Sequence, residues 1–305
     1  MAQETTRQQG NKGQDIRRRI DALTGKIEAS EAMVISSIQP LVDKLSRQAR
    51  MREEHHQFIE THMKALARFE TEVTTRPSKE EAAAVKAYRE ALVKRARQLT
   101  VKPPMVPKVE PLIKSGSVIT VDSPPYSARW THGSGASASF LNGTWSTASL
   151  GSGISYAGAC TFFSPVPGRF PVRFSPFMPI NWSFLLGTFS YPFFPFYYSI
   201  ATAKGFIGLF VAASRDGGNT WEEVVDIRQT IFERKVSIRD SASDFVEHDV
   251  NSLHAHFLTF EKPTLFALWG WGGVETWEWD SPGGWAFANA TIAASIPFLV
   301  IEQTI

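Results

Sequence analysis

Residues 265–280 read LFALWGWGGVETWEWD, and whether this stretch bends or runs straight fixes which of its side chains share a face. Aromatic and β-branched residues lie on both sides of Gly272-Gly273, and a Gly-Gly pair between two such runs is the signal of a two-residue hairpin turn. With that turn Trp271 pairs with Val274, Trp269 with Thr276, Leu268 with Trp277 and Phe266 with Trp279. Phe266, Leu268, Trp277 and Trp279 then form an apolar face for the core, while Trp269 and Trp271 share theirs with Thr276 and Glu278. Two indoles beside a carboxylate make a platform for a sugar ring or a partner's apolar surface, so Trp269, Trp271 and Glu278 are the candidate ligand-binding residues. The alternative is that a neighbouring subunit or a proline-rich segment covers this face. A register slip of one residue would exchange the two faces.

Outward from this stretch, the chain from about residue 116 onward alternates short β-branched or aromatic runs with Gly, Pro, Ser and Asn clusters. Ten candidate strands follow: SVITV, ISYAGACTFF, FPVRF, INWSFLL, GFIGLFVAA, TWEEVVDI, LHAHFLTF, TLFALWGW, VETWEWD and WAFANATIAASIPFLVIEQ. A four-bladed propeller needs about sixteen strands and a repeated blade signature, so a jelly-roll-like sandwich is expected. The thirty residues between Arg173 and Lys204 carry no charge. Pro176, Pro179, Pro192 and Pro195 interrupt any spanning helix there, which favours strands in an aromatic core over a membrane segment.

Residues 214–221, SRDGGNTW, lie between two candidate strands. Asp216 can accept bonds from turn amides, Gly217 and Gly218 can take positive φ, and Trp221 can anchor the returning strand. The pattern Ser-x-Asp-x-Gly-x-Thr-Trp resembles the Asp-box of sialidases and related glycan-processing proteins. The resemblance implies a structural turn built from Ser214, Asp216, Gly218, Thr220 and Trp221. In those families the motif recurs from blade to blade, away from the catalytic centre, and here it occurs once.

The N-terminal third is built differently. Residues 1–110 carry 21 Lys and Arg against 15 Asp and Glu, a net +6, and residues 111–305 carry 11 against 15, a net −4. After a polar arm over residues 1–13, Ile16, Ile20, Leu23 and Ile27 and then Val34, Ile38, Leu41 and Leu45 recur at 4, 3, 4 spacing. This is the narrow seam of a coiled coil or slim bundle, and it resumes at Ile59, Met63, Leu66 and Val73. Pro40 is expected to start a new helix, capped by Ser36 or Ser37, or to kink a long one. Pro77 closes one helix, and Ser78 with Glu81 forms a capping box for the next, with Val85, Tyr88, Leu92 and Leu99 on one stripe. So narrow a seam must pack on other helices or other copies of the chain, and self-association follows. VKPPMVPKVEP, residues 101–111, has four prolines and is expected to be a semi-rigid spacer.

The sequence therefore predicts an α+β multi-domain chain. It comprises a disordered arm (1–13), a helical assembly domain (14–100), a Pro-rich linker (101–115) and an all-β sandwich (116–305). Cys160 is the single cysteine, so no intramolecular disulfide or thiolate-rich metal site is possible. His254 and His256, with His248 and Asp249 upstream, form an incomplete ligand set, so no metal or cofactor is expected. His55, His56 and His62 fall on the helical segment as solvated or seam-lining residues. The basic runs IRRRI and VKRAR are interleaved with acids, the pattern of a solvated helix face, so no specific nucleic acid partner is expected. Nucleotide loops and a Gly-x-Ser-x-Gly elbow are absent, and Glu222 and Glu223, adjacent on a strand, point to opposite faces. The N-terminus has no apolar signal region, so cytoplasmic residence is the expectation. The function expected is a non-enzymatic oligomer that presents a glycan- or protein-recognition surface. A membrane-active, toxin-like protein is the alternative and a glycosidase the third.

Overall fold

The computed structural model describes residues 31–58, 60–61, 79–99, 101–104, 117–190, 199–237, 240–251, 253–280 and 284–305. Helix α1 covers residues 31–58 and helix α2 covers Lys79–Gln98. Thirteen strands follow among the described residues. They are β1 (Ser117–Asp122), β2 (Ala128–His132), β3 (Ser137–Ser139), β4 (Thr144–Leu150), β5 (Gly153–Phe163), β6 (Pro171–Ser190), β7 (Ile200–Ser214), β8 (Glu222–Ser237), β9 (Ser241–Asn251), β10 (Ala255–Leu258), β11 (Leu265–Trp279), β12 (Gly284–Ser295) and β13 (Phe298–Thr304).

The expected hairpin at Gly272-Gly273 does not form: β11 is one unbroken strand at the centre of a five-stranded sheet ordered β2-β5-β11-β7-β8. Its two edges are paired with β5 and β7, and Gly272 lies opposite Ala157 on one side and Ile207 on the other. A side chain at Gly272 would collide with the Trp145 ring, and one at Gly273 with the Tyr156 ring. The two glycines give room to aromatic rings on opposite faces of a straight strand, a use of strand glycine that local sequence cannot tell from a turn. Positive φ is found instead at Gly217 (74°) and Gly218 (101°).

The second sheet has the order β1-β13-β6-β12-β4-β3, with β9 and β10 on the other edge of β6. Within β6, residues 172–177 pair with β13 and residues 180–190 with β12, while β10 and then β9 share the opposite edge. Pro176 and Pro179 sit where these partners change, so the missing backbone donors fall at breaks in the ladder. FPVRF and INWSFLL, expected as two strands, are thus one. Every pairing among the described strands is antiparallel. The two layers hold eight and five strands among the described residues.

Period-2 alternation assigns each face. Ile180, Phe184 and Leu186 of β6, Ile207, Leu209 and Val211 of β7, Phe266, Leu268 and Val274 of β11, and Ala288, Ala290 and Ile292 of β12 fill the space between the sheets. The outer faces are each covered by a helix. Leu92 and Ala96 of α2 pack on Leu185, Trp285 and Phe287. Ile38, Leu41 and Leu45 of α1 pack on Phe206, Phe210, Trp269 and Trp271. The seam of α1 therefore finds its partner in its own chain's sheet, where a second helix was expected. The helix runs through Pro40 without a break, and the hydroxyls of Ser36 and Ser37 bond back to the carbonyls of Met33 (2.9 Å) and Val34 (2.8 Å) where caps were expected. The apolar rhythms at residues 16–27 and 59–73, the arm, and the core of the aromatic run at 191–198 lie outside the described residues. Among the described residues no helix is long and apolar enough to cross a membrane.

The first residues of the proline-rich segment lie against the second sheet, where Asn181 Nδ2 donates to the Lys102 carbonyl at 2.8 Å.

Candidate functional site

A straight β11 changes which residues share a face. Across a two-residue turn odd positions face even ones, but along one strand all odd positions share a side. Trp269, Trp271, Glu275 and Trp277 therefore point together toward α1, and Glu278 points the other way. Trp269 and Trp271 are 0% exposed beneath α1, so the expected platform of Trp269, Trp271 and Glu278 is not an open surface. Among the described residues neither indole N–H beneath the helix has a hydrogen-bond partner. The Arg228 guanidinium lies over the Trp271 ring at 5.1 Å. Glu278 is half-buried with its Oε1 accepting from the Ala288 amide at 2.6 Å. Burial pushes its carboxyl above the usual range, against the pull of that amide.

Residues 214–221 form the β7–β8 connection, with the Asp216 carboxylate as its hub. Oδ1 accepts from the Ser214 hydroxyl (2.7 Å) and the amides of Asn219 (3.1 Å) and Thr220 (2.9 Å), and Oδ2 accepts from the Thr220 hydroxyl (2.6 Å). The Gly218 amide donates to Ser214 Oγ and the Trp221 indole to the Gly218 carbonyl. Bonds from Thr220 first, then Ser214 and Asn219, hold the Asp216 carboxyl well below the usual range. All four of these bonds come from its own loop.

Among the described residues one site with room for a ligand lies where α1 past Ala49 crosses the far end of the five-stranded sheet. A cleft of about 580 Å³ opens there, lined by Arg52 and His56 of α1, Glu275 and Trp277 of β11, Lys204 of β7 and Glu233 of β8. His56 lies flat on Trp277, with ring centroids 4.0 Å apart and planes 12° from parallel. Arg52 forms an ion pair with Glu275, whose Oε1 also accepts from the Tyr156 hydroxyl at 3.0 Å. Lys204 pairs with Glu233 at 3.1 Å. Burial, with the Glu275 charge adding to it, drives the Tyr156 phenol upward, so it is a fixed donor. A neighbouring hollow of about 210 Å³ lies between α1 and β2, lined by Trp130, His132 and Tyr156 and sharing Ala49 and Ile154 with the main cleft.

Sequence reasoning placed Trp277 in the core and His56 on the helical segment as a solvated or seam-lining residue, and did not single out Glu275. Contacts such as Arg52–Glu275 join residues 223 positions apart, and local periodicity carries no such signal. The parity of β11 was the usable clue, had the glycines been taken as strand residues. The other sequence candidates do not assemble: His254 and His256 have ring centroids 5.1 Å apart on and beside β10, and no group of three metal-ligating side chains occurs among the described residues.

No protein-family model matches the chain, and no curated protein matches it. Among solved structures it is similar to one described as the structural basis for the promiscuous specificity of carbohydrate-binding modules from the β-sandwich superfamily. That likeness has 9% identity, covers 59% of this chain and 55% of that one, and has a TM-score of 0.22. The chain thus spans little more than half the length of that structure. It is also similar to the C-terminal family 22 carbohydrate-binding module of Clostridium thermocellum Xyn10B, with 14% identity, 58% and 85% coverage and a TM-score of 0.15. A third is the infectious bursal disease virus Gt strain structure, with 7% identity, 66% and 42% coverage and a TM-score of 0.18.

Proposed function

We propose that the protein is a non-enzymatic binding protein whose sandwich recognises a glycan in the cleft between the end of α1 and the five-stranded sheet. The observation that carries this reading is the pairing of a partly buried indole, Trp277, with the buried Glu275 carboxylate on one strand face. An indole offers a flat apolar surface to the C–H face of a sugar. A carboxylate held at one oxygen by the Tyr156 hydroxyl accepts from its hydroxyls at the other without having to be ordered on binding. The cleft volume falls in the range of small-molecule sites. Both of its paired carboxylates, Glu275 and Glu233, are already engaged by cations, an arrangement that suits recognition better than acid or base work.

The test is an oligosaccharide array followed by calorimetry on the best binder. Trp277→Ala should weaken binding about tenfold, corresponding to about 1.4 kcal/mol, with the circular dichroism spectrum unchanged. Equal affinity in the two proteins would sink the reading. We further infer that the apolar rhythms flanking α1, at residues 16–27 and 59–73, assemble several copies so that weak sites act together. Light scattering that gives a monomer removes this part.

A further inference from the structure

We propose that the last turns of α1 are an intramolecular competitor for this cleft: His56 occupies the ring face of Trp277 on which a sugar stacks, Arg52 occupies the Glu275 carboxylate, and ligand binds by displacing both. The inference rests on the glycan reading above and adds that the site is masked by its own chain.

The two halves of α1 are held in different ways. Ile38, Leu41 and Leu45 are buried on the sheet. Beyond Leu45 no residue of α1 through position 58 is buried, and Met51 is 70% exposed. Past Gln48, which accepts from Arg228 at 2.9 Å, the described helix also meets the sheet through the Arg52–Glu275 pair and the His56–Trp277 stack. The Arg52 side chain is 43% exposed and that of Glu275 10%, so the pair gives way only to a ligand that brings its own donors to the buried carboxylate. The two contacts engage the same two side chains on which the proposed recognition depends. The imidazole on Trp277 copies the geometry of a flat ring ligand, and the guanidinium copies the donors of a hydroxylated one. A ligand that offers the same contacts can replace them while the apolar half stays seated, because a stretch with no buried residue opens locally at less cost than the buried half.

This predicts an unusual sign. Removing a residue that lines a site normally weakens binding, but His56→Ala should tighten it, about three- to tenfold, the fold-change that corresponds to losing one aromatic contact in the competitor. The experiment measures affinity of the full chain, His56→Ala and Trp277→Ala for an array of β-linked hexose and pentose oligosaccharides. Amide hydrogen exchange is then followed at residues 50–58 of the full chain with and without the best binder. Tighter binding by His56→Ala together with faster exchange in the bound state is the expected result, and binding by His56→Ala alone supports the same conclusion more strongly. Weaker binding by His56→Ala, or slower exchange at residues 50–58 on saturation, overturns the competitor while leaving the glycan reading in place. Binding by neither the full chain nor His56→Ala overturns both.

Discussion

A methyl group at Gly272 has no space: it would meet the Trp145 ring on one side and the Phe206 carbonyl on the other. Gly272→Ala should therefore destabilise the chain by about 1–3 kcal/mol, the cost of overpacking, read as a lower denaturant midpoint at unchanged slope. Asp216 gives a pH signature. Its carboxyl lies below the ordinary value because the ionised form accepts the bonds of the loop, so it stabilises fully above the unfolded value of about 4 and loses that contribution as the pH falls. The gap in melting temperature between the native chain and Asp216→Asn should be constant above about pH 5 and shrink below about pH 4. His56 is shifted down, by burial first, then by His55 and Arg52, with Glu53 opposing. Its neutral form favours docking, so the seat of the α1 end should loosen as the pH falls below about 6.5. Chemical-shift titration of the His56 ring should give a midpoint below that value.

At the scale of elements, α1 is a cover laid over an aromatic sheet face. Leu41 is 0% exposed between the helix and the sheet, and Leu41→Ala should cost about 2–5 kcal/mol of docking. The consequence is a red-shifted tryptophan emission, as Trp269 and Trp271 meet water, and faster amide exchange over residues 31–45. Substituting Trp269 or Trp271 by Ala should lower stability by about 3–5 kcal/mol, whereas Trp277→Ala should lower affinity at nearly unchanged stability. That contrast separates the buried indoles from the one that lines the cleft.

The whole molecule is closed by its ends. β13 joins β1 to β6, so the first and last strands of the sandwich are neighbours. Deleting residues 298–305 should unpair β1, uncover Phe174 and the outer length of β6, and abolish cooperative unfolding in a thermal scan. Pairing strands this distant in sequence also predicts slow folding, on the order of milliseconds to seconds, checked by stopped-flow tryptophan fluorescence.

Periodicity alone determined that helices precede a β-sandwich, that residues 214–221 join two strands, and that Ile38, Leu41 and Leu45 share one stripe. These features rest on near neighbours, whose spacing the chain itself sets. What covers each face was decided only in the tertiary structure. A seam of isoleucine and leucine packs equally well on a helix or on a sheet, and Gly272-Gly273 makes either a turn or a passage for two rings. The choice fell to Trp145 and Tyr156, which need those glycines straight, and to β5 and β7, which occupy both edges of β11. Straightening the strand put Trp277 and Glu275 on the same face as Trp269 and Trp271 and brought both under α1. The candidate site therefore exists only because residues more than two hundred positions apart are packed together.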